Sequence, residues 1–96
     1  MKKDDLHSFI KLCHDAKSID KMEDLFNLFL TLEEKEMLRA RYQILQALLK
    51  GDLTQREIAE KYQVSIAQIT RGSNALKIID KKLKIFLEKH FLHSWL

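Results

Sequence analysis

Apolar positions recur along this chain with the 3.6-residue period of an α-helix. From Asp4 to Ala16 they follow one another at intervals of three or four residues, which predicts an amphipathic helix. A second helical segment, from about Asp20 to Leu30, is apolar on more than one face. One apolar face can pack against the chain's own core. The apolar residues on the other face therefore predict contact with another surface, most simply that of a second copy of the chain.

Three pairs of residues mark the starts of further helices. Each pair has Ser or Thr three residues before Glu or Gln, a spacing at which the two side chains satisfy free backbone N–H groups of a first turn. The pairs are Thr31 with Glu34, Thr54 with Glu57, and Ser65 with Gln68. The first pair predicts a long helix that ends at Lys50, with Gly51 as its left-handed cap, and the other two predict a pair of short helices.

A last amphipathic helix is predicted from about Asp80 to His90, which leaves residues 91–96 as a flexible tail. The chain has 96 residues, 46% of them hydrophobic, with no proline and two glycines. We therefore expect one all-α domain of about six helices over residues 1–96. A domain this small buries a limited share of its surface on its own, so we also expect a homodimer.

Charge and cysteine content bear on the partners and the cellular compartment that we expect for the protein. The net charge of +3 permits a polyanionic partner without requiring one. Cys13 is the one cysteine and cannot form an internal disulfide, and no stretch resembles a signal peptide or a membrane span. We therefore expect a cytoplasmic protein that has no membrane partner.

The two short helices, at about residues 55–77, have the features of a helix-turn-helix. That motif needs a small residue where the helices cross, apolar residues around the turn, and a cap on the second helix. Ala59 supplies the small residue and Ser65 the cap. The usual turn glycine is replaced by Gln63, which can adopt a positive φ only with some strain. Plain structural hairpins of this size exist, but the combined pattern favours DNA binding.

The second short helix has no acidic residue, so it can face DNA phosphates. Its free N-terminal N–H groups also favour an anion. Gln68 and Thr70 are short polar residues that can reach base edges or bridging water, whereas long or basic side chains suit phosphates. The predicted DNA-contacting residues are Gln55, Arg56, Ile66, Ala67, Gln68, Thr70 and Lys77. Each of them alone could belong to a solvated face, but together they favour DNA.

Gly72 stands inside the second short helix, where glycine costs about 1 kcal/mol relative to alanine. Close approach of another group to the backbone is the usual compensation. Its neighbour Arg71 carries a guanidinium that can lie flat on an aromatic ring and can pair with a carboxylate. The pair therefore predicts a planar ligand that bears an anion.

The segments "LTQRE" (53–57) and "ITRGSNALK" (69–77) resemble those of the tryptophan-operon repressor family, and the resemblance covers roughly residues 20–92. It implies an intertwined all-helical homodimer that binds L-tryptophan as corepressor and then operator DNA. It also implies that the two helix-turn-helix units enter successive major grooves, a docking mode documented for Trp repressor itself.

The resemblance extends to single positions of a tryptophan site. Arg71 resembles the arginine on one face of the indole, and Arg41, offered by the partner chain, resembles the arginine on the other face. Gly72 resembles the glycine against which the ligand rests, which explains the missing side chain by the presence of the ligand.

Other matching positions concern the polar end of the ligand. Thr31 resembles the threonine near the carboxylate, and the carbonyls of Leu28 and Leu30 resemble those that receive the ammonium. Ala75 departs from the pattern, because the best-known members have a serine there that helps to hold the ammonium. Without the resemblance, Thr31 is a helix cap and the two leucines are core residues.

Two functions therefore stay open. One is a tryptophan-dependent repressor, and the alternative is a regulator of the same fold that answers to another ligand or to none. No catalytic residues are expected, because the sequence has no carboxylate pair, triad or phosphate loop. No metal site is expected either, because the four histidines lack zinc-site spacing.

Overall fold

A computed structural model describes residues 3–95, and the fold class is all-α, as predicted. The six helices are α1 Lys3–Ala16, α2 Ile19–Phe29, α3 Leu32–Lys50, α4 Gln55–Tyr62, α5 Ile66–Leu76 and α6 Lys81–Trp95. The chain divides into two compact units, unit 1 (Met1–Lys35) and unit 2 (Glu36–Leu96), with the boundary inside α3.

Unit 1 contains α1, α2 and the start of α3. The Oγ of Ser18 accepts the N–H of Lys21 at 3.1 Å and so begins α2. The predicted Thr31–Glu34 capping box is confirmed, with reciprocal hydrogen bonds of 2.8 and 3.1 Å. The rings of Phe9 and Phe29 meet edge to face, 5.0 Å apart. None of the described residues of this unit is fully buried.

Unit 2 holds the hydrophobic core. Its buried hydrophobic residues come from α3, from α4, from the turn after α4, from α5 and from α6, and they are Ala40, Ile44, Ala47, Ile58, Val64, Ile69 and Phe91. Three of the α3 residues share one face at helical spacing, and this face receives the two short helices.

The two short helices begin and end as their local sequence predicts. The Thr54–Glu57 and Ser65–Gln68 capping boxes are both present. Gln63 ends α4 in the left-handed conformation, with φ 55° and ψ 51°, and Gly51 ends α3 with φ 76°. The side-chain amide of Gln63 donates to the Glu60 carbonyl at 2.7 Å. This bond stabilises a conformation that is strained for a residue other than glycine.

The end of α6 differs from the prediction. The helix was expected to stop near His90, but it continues to Trp95, and Leu96 lies outside the described residues. Phe91 is only 2% exposed and its ring lies 5.3 Å from that of Tyr42 on α3. The hydroxyl of Tyr42 also forms a hydrogen bond with Nε2 of His90 at 3.1 Å. Residues 91–95 therefore belong to the helix that packs on α3, and not to a tail.

Candidate ligand and nucleic-acid site

Gly72 is buried where α5 packs against α3. A Cβ atom placed on it would lie 2.8 Å from Cγ2 of Ile44, 3.6 Å from Cδ2 of Leu45 and 3.8 Å from Cδ of Arg41. A contact of 2.8 Å is too short for two carbon atoms. The glycine therefore lets α5 approach α3 closely, which is a packing reason for the missing side chain that the ligand hypothesis did not include.

Arg41 lies in the same chain as the glycine beside it. Cδ of the chain's own Arg41 on α3 lies 3.8 Å from the Cβ position of Gly72 on α5. That the partner chain offers the second arginine of a tryptophan site stays a prediction. Arg71 is the residue before Gly72, and both guanidinium groups belong to exposed residues. The ion pairs found among the described residues involve neither arginine. The close contact of the two helices thus places the side-chain stem of Arg41 beside Gly72, the residue that follows Arg71.

Sequence reasoning missed Ile44 and Leu45, the α3 residues that face Gly72. Both follow Arg41 at three and four residues, the spacing that puts side chains on one face of a helix. Ala75 stands one turn after Arg71 on α5 and is half-buried. The arrangement therefore combines an apolar surface with two guanidinium groups, which suits a planar ligand that carries a carboxylate.

The positions predicted to bind the polar end of the ligand belong to unit 1, and they are Leu28, Leu30 and Thr31. Leu28 lies in the last turn of α2, where carbonyls have no donor within the helix, and Leu30 is the C-cap of the same helix. The Thr31 hydroxyl accepts the N–H of Glu34 at 3.1 Å, so its own O–H stays able to donate. The chemistry available at these positions is that of carbonyl acceptors and one hydroxyl donor.

Most predicted DNA-contacting residues are exposed in unit 2. They lie in the first turn of α4, along α5 and at the C-cap of α5, and they are Gln55, Arg56, Ile66, Ala67, Thr70 and Lys77. Gln68 differs because it is half-buried, and its Oε1 accepts the N–H of Ser65 at 2.8 Å. Its amide nitrogen takes no part in the capping box and remains able to donate elsewhere.

Features outside this site add little chemistry. A hydrogen bond from Arg39 holds the pKa of Glu36 below its usual value, and both residues are exposed on α3. No group of His, Cys, Asp and Glu side chains within residues 3–95 could hold a metal ion. In the same part of the chain, no helix has the length and apolar character needed to cross a bilayer.

Comparisons with known proteins identify the family to which this chain is similar. A family model described as Trp repressor protein matches residues 4–91. A protein of Chlamydia trachomatis serovar D, named Trp operon repressor homolog, is 56% identical over 82 residues, which cover 85% of this chain and 87% of the relative. Proteins of the same name from Chlamydia caviae and Vibrio parahaemolyticus are 59% and 40% identical. They are matched over 83% and 88% of this chain, and over 79% and 86% of their own lengths.

Proposed function

We propose that this chain, which belongs to the Trp repressor protein family, is a transcriptional repressor whose binding to operator DNA depends on L-tryptophan. Membership of a repressor family makes the chain a repressor-type regulator. The proposal adds the identity of the ligand, the homodimer and a cytoplasmic location.

The close contact between Gly72 and α3 carries the ligand proposal. The contact brings Arg41 beside Gly72, and Arg71 is the residue before Gly72. We therefore propose that an indole ring lies between the guanidinium planes of the two arginines. The position of a Cβ on the glycine is filled by Ile44, so the ligand rests at the edge of the helix contact. The glycine supports binding by setting the distance between the two helices.

Polar groups of unit 1 are proposed to bind the polar end of the ligand, as the resemblance of their positions to the family's site implies. The Thr31 hydroxyl donates to the ligand carboxylate, and the carbonyls of Leu28 and Leu30 accept from the ammonium. Each of these groups has the free donor or acceptor that its role needs. The carboxylate also pairs with a guanidinium, which is the strongest type of contact that this site offers.

The helix pair α4–α5 is proposed to be a helix-turn-helix. Its capped second helix presents exposed Ile66, Ala67 and Thr70, together with the amide nitrogen of Gln68, to the major groove. Arg56, Gln55 and Lys77 are proposed to bind phosphates. In a homodimer, two such helices would match half-sites about 34 Å apart.

Unit 1 supports the homodimer. It has no fully buried residue among those described, and it exposes large apolar side chains on all of its helices. Such surface is stabilised by a partner, and a second copy is the simplest one. Tryptophan would then fix the tilt of the reading helices in the dimer, which links ligand binding to DNA binding.

A two-part experiment tests the proposal. The tryptophan-saturated protein is first used to select DNA from a random pool, and a two-fold symmetric sequence is expected. Calorimetry then measures L-tryptophan affinity with and without that DNA. Coupling of about 1 to 3 kcal/mol is typical, so DNA should tighten tryptophan binding by roughly 5- to 150-fold. Equal affinities in the two titrations would refute the linkage.

Ala75 supports a second candidate, a regulator of the same fold that answers to another ligand or to none. The residue offers no hydroxyl to an ammonium, so an indole acid without an amine could bind comparably. If position 75 faces the ammonium, Ala75→Ser should raise the preference for tryptophan over indole-3-propionate by about tenfold, or 1.4 kcal/mol. The exposed neighbour Asn74 provides the control Asn74→Ser. An unchanged ratio in competition titrations would show that position 75 does not face this group.

A further inference from the structure

Four lysines lie close together in the sequence after the end of α5. Lys77, Lys81, Lys82 and Lys84 fall within eight residues and all are exposed. We refer to these four residues as the lysine surface. Lys77 and Lys84 line one hollow of about 280 Å³ together with Ser73 of α5. The start of α6 therefore lies beside the last turns of α5.

The charge of the lysine surface has little compensation. Between Lys61 and Leu87 the sequence has one acidic residue, Asp80, whose Oδ1 accepts the N–H of Leu83 at 2.8 Å. Glu88 follows Lys84 by four residues on α6. The ion pairs found among the described residues include none of the four lysines. The nearest polar partner of Lys77 is the neutral Asn74, at 3.4 Å.

Lys81, Lys82 and Lys84 lie in the first turn of α6, where the capping carboxylate of Asp80 offsets only part of their charge. The N-terminus of a helix carries a partial positive charge, so cations in the first turn are destabilising there. Helices α1 to α4 each have an acidic residue in the first turn, whereas α5 and α6 have none. An anionic partner would offset this repulsion, and α5 is already the helix proposed to lie on DNA.

We propose that the lysine surface binds the phosphodiester backbone of the DNA that flanks the segment read by α5. The proposal rests on the proposed function, and it extends the DNA interface from residues 55–77 to Lys81, Lys82 and Lys84. Backbone contacts of this kind position a protein without reading sequence. Each neutralised phosphate releases counterions, so each contact increases the salt dependence of binding.

The test is a variant that removes the three new charges, with Lys81→Gln, Lys82→Gln and Lys84→Gln. Binding is measured from 0.1 to 1 M salt on a DNA fragment selected by the wild-type protein and on a scrambled fragment. The slope of log affinity against log salt should become shallower by about 0.9 for each lost contact. If at least two contacts are lost, affinity at 0.1 M salt falls by roughly 10²-fold on both fragments.

A matched control separates contact from net charge. The variant with Lys11→Gln, Lys17→Gln and Lys21→Gln changes the net charge equally, at exposed positions of unit 1. This control variant should keep the wild-type slope of log affinity against log salt concentration. Shortening the flanks of the DNA should weaken the wild-type protein but not the variant of the lysine surface. Circular dichroism and tryptophan titration should show that both variants keep the fold and the ligand site.

Equal salt slopes for the two variants would overturn this proposal and assign the lysines to a solvated face. The proposed function fails in a different way, through a wild-type protein that shows no sequence preference or no response to tryptophan. In that case the scrambled fragment still tests the lysine contacts. A wild-type protein that binds neither fragment would overturn both proposals.

Discussion

Unit 1 and unit 2 bury very different amounts of apolar surface. All fully buried residues found in the described part of the chain belong to unit 2. Unit 1 instead exposes large side chains such as Ile19, which is 79% exposed. Apolar burial contributes about 25 cal/mol per Å², so unit 2 has its own source of stability and unit 1 needs another surface. The helices proposed to read DNA are thus built on a core that the single chain supplies.

The two units also differ in charge. Unit 2 carries 11 of the 17 Lys and Arg residues but only 6 of the 14 Asp and Glu residues, so its net charge is +5. The remaining residues give unit 1 a net charge of −2. A polyanion is therefore attracted to the unit that has its own core, and repelled by the unit that has none.

The largest expected effect comes from the core of unit 2. Ile58 is 0% exposed, so Ile58→Ala should lower the free energy of unfolding by about 2 to 5 kcal/mol. Urea unfolding followed by circular dichroism measures this loss, which should be independent of protein concentration. Ile78→Ala, at a position that is 86% exposed in the same unit, is the control. A loss at Ile58 that appeared only in dilute protein would contradict a core supplied by one chain.

The second prediction concerns the contact between α5 and α3. Gly72→Ala should destabilise unit 2 by about 1 to 3 kcal/mol, because the new Cβ would meet Cγ2 of the buried Ile44. Asn74→Ala, at an exposed position of the same helix, should lower the stability of unit 2 much less than Gly72→Ala does. Ile44→Leu moves the side-chain branch away from Cβ and should recover part of the loss in a double-mutant cycle. Additive losses in that cycle would show that the two residues do not interact.

The third prediction tests whether unit 1 is covered by a second chain. Ile10 is exposed on α1, so Ile10→Asp should leave the helices of a single chain intact. If this surface is buried in the dimer, dimerisation should weaken by at least about tenfold, or 1.4 kcal/mol. Sedimentation equilibrium measures the change, and Lys11→Asp is the control on the same helix. A dimer equally stable in both variants would leave α1 outside the interface.

The smallest effect is expected at the first residue of unit 2. Arg39 lowers the pKa of Glu36, so this pair adds stability only while the carboxylate is charged, and the contribution disappears as the pH falls through the lowered pKa. Both groups are fully exposed and screened by solvent. Glu36→Gln should therefore leave the thermal midpoint at neutral pH almost unchanged. A large drop would mean that this position is buried in an assembly.

Local features of the fold could be predicted from the sequence. The three capping boxes and the left-handed residues Gly51 and Gln63 depend on neighbours within a few positions, and all of them are present. The end of α6 could not be predicted in this way, because Phe91 is held by Tyr42, which is 49 residues earlier in the sequence.

In the candidate site, too, features that depend on sequence neighbours could be predicted, and features that depend on residues distant in the sequence could not. Arg71 and Gly72 were recognised because they are adjacent in a helix. Arg41 was predicted only through the family resemblance, because its nearness to Gly72 depends on the packing of α3 on α5. Ile44, which decides why the glycine is needed, gave no signal beyond its spacing from Arg41.

The hydrogen bond between Gln68 and Ser65 bears on the base contact proposed for α5. A glutamine usually pairs with adenine through both its oxygen and its nitrogen. The oxygen of Gln68 accepts the N–H of Ser65 at 2.8 Å, which holds it at the start of its own helix. While that bond is kept on DNA, the N–H groups of Gln68 can donate to N7 of a purine, O6 of guanine or O4 of thymine, and the oxygen has one lone pair left for a donor. The capping box that starts the helix therefore restricts the bidentate pairing with adenine at the position that Gln68 is proposed to contact.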